Sequence, residues 1–190
     1  MYGFKGYMDY LKTGKFTYAI SSYDKDARQT PSLLLDYTCE NKVFSYPNPW
    51  LILSANKNVG EIDLIKGKAK AIGLKSYIYQ MLAGDDSDHY DPRMVKGKKR
   101  SDGFGDTSIW EELNPLNTPK ELFEHVINKY YEWYPDGVKF TAWNGVEVSE
   151  STLWWLEQMH QCVYMKRTVD DQLTFKTLVN KFGVNLPEGV

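Results

Sequence analysis

The chain has 190 residues, of which 42% are hydrophobic and 25% charged, a balance that fits one substantial folded core and excludes a disordered polypeptide. A net charge of −2 and a pI near 5.9 exclude the broad basic field of a protein that binds nucleic acid over its whole surface. The only cysteines are Cys39 and Cys162, with no C-x-x-C pair and no His-rich tract, so structural zinc and a disulfide framework are not expected. No apolar run approaches the roughly 18 residues of a membrane span, so the expectation is a soluble, cytoplasmic protein in a reducing setting.

Residues 4–13 place Phe4, Tyr7, Met8 and Leu11 at helical spacing, with Gly14 as the stop. FTYAISS (16–22) then reads as a buried strand, and helix, glycine, strand is the αβ half of a parallel α/β unit. YDKDARQTP follows that strand, at the carboxyl end where open α/β sheets bind ligands. LLLDY (33–37) and KVFSY (42–46) read as two further short strands about a Glu40-Asn41 turn, and YPNPW as a loop. From about Gly73 an amphipathic helix carries Leu74, Tyr77, Ile78, Met81 and Leu82 on one face and ends at Gly84. A glycine-punctuated stretch, 91–105, leads to a helix in TSIWEELNP. Thr118, Pro119 and Glu121 have the spacing of a capping box, which predicts a helix from there to about Tyr131. Residues 136–148 look irregular. STLWWLEQMHQCVYMKR is a helix opened by Ser149 or Ser151, with Leu153, Leu156, Met159, His160, Val163 and Tyr164 on one stripe, and the tail holds one more short helix.

Three clusters carry possible chemistry. Asp24-Lys25-Asp26 offers two carboxylates after a strand, either hard oxygen ligands for Mg²⁺ or Mn²⁺ or an ordinary charged loop. Gly84-Asp85-Asp86-Ser87-Asp88 packs three carboxylates at a helix end whose dipole disfavours them, so either a cation neutralises them or they form a solvated turn. The basic run that follows holds Arg93, Lys96, Lys98, Lys99 and Arg100, and then Gly103-Phe104-Gly105; these suit phosphate contacts, or a solvated loop. His89, His125 and His160 lack ligand spacing, with His125 expected at the surface and His160 in the core. There is no G-x-S-x-G, P-loop or Cys–His pair to support covalent catalysis or Walker-type hydrolysis.

Taken together, YAISSYDKDARQTP, GLKSYIYQMLAGDDSDHY and GFGDTSIWEEL resemble, in order, segments of the flap-endonuclease-type 5′-3′ exonucleases of bacteriophage type, and EQMHQCVYMKR is similar to a later helix of that family. The resemblance spans roughly residues 16–167. It implies an α/β fold: a truncated parallel-sheet nuclease core followed by a helical region with a helix–three-turn–helix DNA-binding element. The implied division is 1–90, the C-terminal part of the core with the second metal site, and 91–190, the helical DNA-binding region. Asp24 and Asp26 match the family's D-K-D motif, and Asp85 and Asp88 its G-D-x-x-D motif, which together hold the second of two divalent metals. The turn around Gly103 and Gly105 would bind duplex phosphates with a K⁺ ion on backbone oxygens.

The family motif usually continues N-I-P-G, whereas here His89-Tyr90-Asp91-Pro92 and the basic insertion follow. The family's further upstream acids have no counterpart after Met1-Tyr2-Gly3, so the chain alone is expected to be weak or inactive; either a separate N-terminal half is its partner, or the sequence is a fragment or begins at a misassigned start. The implied activity is divalent-metal-dependent hydrolysis of DNA phosphodiesters near a 5′ end or flap. The competing expectations are a catalytically incomplete DNA-binding accessory protein and an unrelated small-molecule phosphohydrolase.

Overall fold

The computed structural model describes residues 2–15, 17–21, 25–29, 33–35, 51–53, 59–94, 105–166 and 168–187. Helix α1, Tyr2–Thr13, comes first, and a 3-10 turn, Lys25–Arg28, follows it. Next are strands β1, Leu33–Leu35; β2, Leu51–Leu53; β3, Glu61–Ile65; and β4, Lys68–Ile72. Helices α2, Leu74–Ala83; α3, Asp106–Leu113; and α4, Pro119–Trp133 precede a pair of strands, β5, Val138–Thr141, and β6, Glu147–Glu150. Helices α5, Thr152–Val163, and α6, Phe175–Asn180, complete the order. No helix among the described residues is long and apolar enough to cross a membrane.

The parallel-sheet nuclease core expected from the sequence is overturned. The described strands form three separate two-stranded sheets, each antiparallel, set among helices that make up most of the fold. The cause is local in the case of β3 and β4. Lys66 and Gly67 join them with φ of 50° and 74°, the two-residue reverse turn that returns a strand against its own neighbour. A parallel pair needs a crossover of a dozen residues or more. The described part of the FTYAISS segment, 17–21, is no buried strand either: Thr17, Tyr18, Ala19 and Ser21 are exposed, and only the half-buried Ile20 makes a β-bridge. It folds back on α1 instead: Thr17 donates to Asp9 at 2.9 Å, the Lys5 ammonium lies 5.3 Å from the Tyr18 ring centre, and Gly6 lies against the Tyr18 carbonyl with no room for a side chain. The segment KVFSY, the Glu40-Asn41 turn, YPNPW and the 95–104 part of the expected helix–three-turn–helix element lie outside the described residues.

Helix α2 is the hub. Lys75, Ser76, Tyr77, Ile78, Gln80, Met81, Leu82 and Ala83 are all buried, so neighbours surround this helix rather than lying along one stripe. The β3–β4 hairpin, α3, α4 and α5 pack against it. The alternation of β4 turns Ala69 and Ala71 inward and Lys68 and Lys70 to solvent. One hydrophobic cluster runs from Val59 to Val184 and so crosses residue 90. A buried lysine is normally costly, but Lys75 donates to the Asn114 carbonyl at 2.9 Å, at the end of α3.

Helix α4 begins where the capping-box spacing places it. The Thr118 hydroxyl accepts from Glu121 N–H at 3.2 Å, and the Glu121 carboxylate accepts from Thr118 N–H at 2.9 Å. Ser151 caps α5, its hydroxyl accepting from Trp154 N–H at 3.1 Å. The buried face of α5 is Thr152, Trp155, Leu156, Met159, His160 and Val163; of the two tryptophans expected in the core Trp155 is buried, while Trp154 and Leu153 are half-buried. The 136–148 segment, expected to be irregular, holds β5 and the start of β6. Replacing Thr118 by Ala removes an N-cap acceptor and is expected to cost about 1 kcal/mol. Urea unfolding should show the midpoint lowered with the slope unchanged.

Candidate metal centre

Gly84 ends α2 with φ 70° and ψ −173°, backbone angles that essentially only glycine adopts. The chain then closes a short loop in which Asp85 N–H donates to the Tyr90 carbonyl at 2.9 Å and Tyr90 N–H to the Asp85 carbonyl at 3.2 Å. Within it, Ser87 N–H donates to Asp85 Oδ1 at 2.9 Å, fixing the carboxylate against its own turn. Asp85 is only 2% exposed, whereas Asp86, Ser87, Asp88 and His89 face solvent.

The loop is held by its flanks. Arg93 is 1% exposed, and its guanidinium donates to the Ala83 carbonyl and to Asp91 Oδ1, both at 3.0 Å. The Pro92 carbonyl accepts from the Tyr134 hydroxyl at 2.7 Å and the Trp155 indole N–H at 2.8 Å. The Tyr130 hydroxyl donates to the Met81 carbonyl at 2.7 Å. Carbonyls in the last turn of α2 are thereby paired by side chains from other elements.

The second acidic segment is tied to the same helix. Gly73 N–H donates to the Arg28 carbonyl at 2.8 Å, docking the Lys25–Arg28 turn at the start of α2. About two turns further along that helix, the buried Gln80 amide donates to Asp26 Oδ1 and accepts from the Gln29 amide. Tyr90 reports the outcome. Burial first, then the negative charges of Asp85, Asp26 and Asp88 in that order, hold its hydroxyl proton far more firmly than in a free tyrosine.

The charges of three of the four aspartates singled out in the sequence, Asp85, Asp26 and Asp88, thus bear on the Tyr90 hydroxyl, behind burial as the main cause. Asp24 lies outside the described residues, and among the described residues no set of three or more His, Cys, Asp or Glu side chains closes into a metal cage. Lys96, Lys98, Lys99, Arg100 and Gly103 also lie outside the described residues. Gly105 is the N-cap residue of α3. In the first turn of that helix, Asp106 accepts from the Tyr79 hydroxyl and pairs with Lys68 at 3.6 Å. Arg93, expected at a phosphate, is turned inward by Asp91 and Ala83. Sequence reading missed Gln80 and Tyr90, because one resembles any helix glutamine and the other any aromatic near a proline.

The histidines sort much as expected, with one refinement. His125 is half-buried and meets Glu112 Oε2 at 3.0 Å, while Lys129 holds the other Glu112 oxygen at 2.9 Å; burial is the main reason its pKa is lowered. His160 is 1% exposed between the Tyr77 hydroxyl, 2.8 Å from Nδ1, and the Leu173 carbonyl, 2.7 Å from Nε2. A carbonyl only accepts, so Nε2 carries the proton and Nδ1 accepts from Tyr77. No family model, curated protein or solved structure matches the chain.

A Cβ on Gly84 would lie 2.6 Å from the Tyr90 carbonyl oxygen and 2.9 Å from the Pro92 ring. Gly84→Ala is therefore expected to cost about 1–3 kcal/mol from backbone strain alone, read as a fall in Tm. Burial, the largest influence on His160, lowers its pKa below the ordinary 6.5, so the fold holds it neutral. As the pH falls below about 6.5 the unfolded chain takes up this proton first, and stability is lost until the folded-state pKa is passed. Unfolding free energies between pH 7.5 and pH 5 should fall more steeply in the wild type than in His160→Gln.

Proposed function

We propose that this chain is the DNA-binding, metal-binding part of a divalent-cation-dependent 5′-nuclease. The observation that carries the reading is the side-chain bond between residues 54 positions apart, Gln80 and Asp26, which ties the Lys25–Arg28 turn to the last turn of the helix that leads into Asp85 and Asp88. Carboxylates from separate segments repel one another, and a protein that gathers them gains from a cation there. The donors are hard oxygens, the kind that Mg²⁺ and Mn²⁺ select. Mg²⁺ keeps several of its waters and binds through one or two carboxylates rather than a closed protein cage.

The residues divide the work. Gln80 holds Asp26 at one oxygen, and Ser87 N–H holds Asp85 at one oxygen, so neither carboxylate turns freely. Burial, and then the charges of Asp85, Asp26 and Asp88, raise the Tyr90 hydroxyl pKa, so Tyr90 stays a neutral donor throughout the physiological range. Arg93, Tyr134 and Trp155 fix the backbone that carries Asp85 and Asp88. When bound, the cation would supply Lewis acidity and a more acidic water for attack on phosphorus. Phosphate contacts are assigned to Lys96, Lys98, Lys99 and Arg100, and a polypeptide bearing further acids is proposed as the partner that completes the nuclease.

Calorimetry with Mn²⁺ and cleavage of 5′-labelled duplex DNA test this reading. The wild type should bind Mn²⁺, and Asp85→Asn or Asp88→Asn should weaken binding about tenfold or more, with circular dichroism confirming the fold. Cleavage should appear or rise when a polypeptide carrying the family's upstream acids is added. DNA binding without Mn²⁺ uptake or cleavage would assign the chain to the accessory class instead.

A further inference from the structure

Helix α5 is fastened to the segment leading into α6 by three side chains that share one of its faces. Glu157 Oε2 accepts from Phe175 N–H at 2.8 Å, His160 Nε2–H donates to the Leu173 carbonyl at 2.7 Å, and the Tyr164 hydroxyl donates to Asp171 Oδ2 at 3.0 Å. Asp171 Oδ1 in turn accepts from Leu173 N–H at 3.3 Å. His160 also bonds to α2, its Nδ1 accepting from the Tyr77 hydroxyl at 2.8 Å. One imidazole thus ties the start of α6 to the helix at the centre of the fold.

That arrangement suits only the neutral ring. A second proton would enter at Nδ1, where the Tyr77 hydroxyl hydrogen already takes the lone pair. Tyr77 is 4% exposed, so its hydroxyl would lose an acceptor where bulk water does not replace it. The rings of Tyr164 and Phe175 stand 4.8 and 6.0 Å from the imidazole, centre to centre. On another side lies a partly open cavity of about 360 Å³, whose lining includes His160, Glu157, Tyr164, Lys166 and Asp171. Among the described residues, the ionisable groups around the ring are therefore Tyr77 from α2, Glu157 and Tyr164 from α5, and Lys166 and Asp171 from the segment before α6. Helix α6 itself presents the uncharged Phe175. Burial disfavours a charged ring in its present position, while Glu157 and Asp171 favour it. Glu157 sits one helical turn before His160 on the cavity side, within reach of an imidazolium that leaves Tyr77.

We infer that His160 is a proton-operated latch on the C-terminal helix. Neutral, it holds Leu173 and Tyr77 together. Protonated, it releases Tyr77, turns into the cavity toward Glu157 and Asp171, and lets α6 open from α5 ahead of the rest of the fold. The latch needs neither metal nor DNA, so it stands apart from the nuclease reading. Opening is favoured as the pH falls below about 6.5, because the open state takes up the proton there and the closed state only at lower pH. Within that window the open population rises by at most about tenfold per pH unit.

Amide exchange of the full chain, corrected for its intrinsic pH dependence, tests the latch. Between pH 7.5 and 5.5 the protection of Phe175 and Leu178 should fall severalfold, up to about tenfold, and in His160→Gln it should stay level. That opening should be insensitive to low urea, unlike the exchange of Met81 and Leu82 in α2. Phe175 and Leu178 amides that exchange only together with α2, or that lose protection equally in His160→Gln, overturn the latch. Tyr77→Phe removes only the phenol hydroxyl and keeps the test open if the glutamine variant does not fold. The His160 ring nitrogens, followed by NMR, should titrate roughly 0.7 pH unit higher in that variant than in the wild type. An unchanged midpoint means that Tyr77 does not oppose protonation, and the latch fails.

Discussion

The end of α2 lies inside the protein, and a helix end buried there must find donors for its carbonyls. Here they come from beyond the helix: Tyr130 serves Met81 and Arg93 serves Ala83. These two bonds hold the acidic loop to the core. Just past the loop, the Pro92 carbonyl takes both Tyr134 and Trp155. Without the four side chains, the Met81, Ala83 and Pro92 carbonyls on either side of the loop would lose these partners.

Electrostatics bears on what such a platform could serve. A helix carboxyl end carries partial negative charge, and placing acids beside it is unfavourable. The protein adds Asp26 to that region through Gln80 rather than steering it away. Burial of Asp85 raises the cost of its charge further. A bound cation would offset all three costs at once.

Much of the helical framework is legible from short-range chemistry. The Thr118–Glu121 box, the Ser151 cap and the Gly84 stop each act within a few residues, and each falls where the spacing places it. The β3–β4 and β5–β6 hairpins are not legible. Lys68-Ala69-Lys70-Ala71 alternates as a strand should, but small alanines give a faint apolar signal beside the strong helix that follows. FTYAISS reads as an apolar run, yet its residues 17–19 stay exposed and fold back on α1 beside Gly6. Within the site, the acids are visible because they cluster in sequence. Gln80 and Tyr90 are not, since their roles depend on contacts with segments distant along the chain. Arg93 looks like the first member of a basic run, yet Asp91 two residues before it is a clue to its inward turn.

The continuous cluster from Val59 to Val184 has a consequence for how the molecule comes apart. A helix wrapped by the β3–β4 hairpin and three other helices loses its amide protection only when the whole cluster opens. The acidic loop, bonded to that helix and to α4 and α5, shares its fate rather than fraying independently. A proteolytic nick near residue 90 would divide one cooperative unit, leaving two pieces that each expose the apolar surface the other had covered.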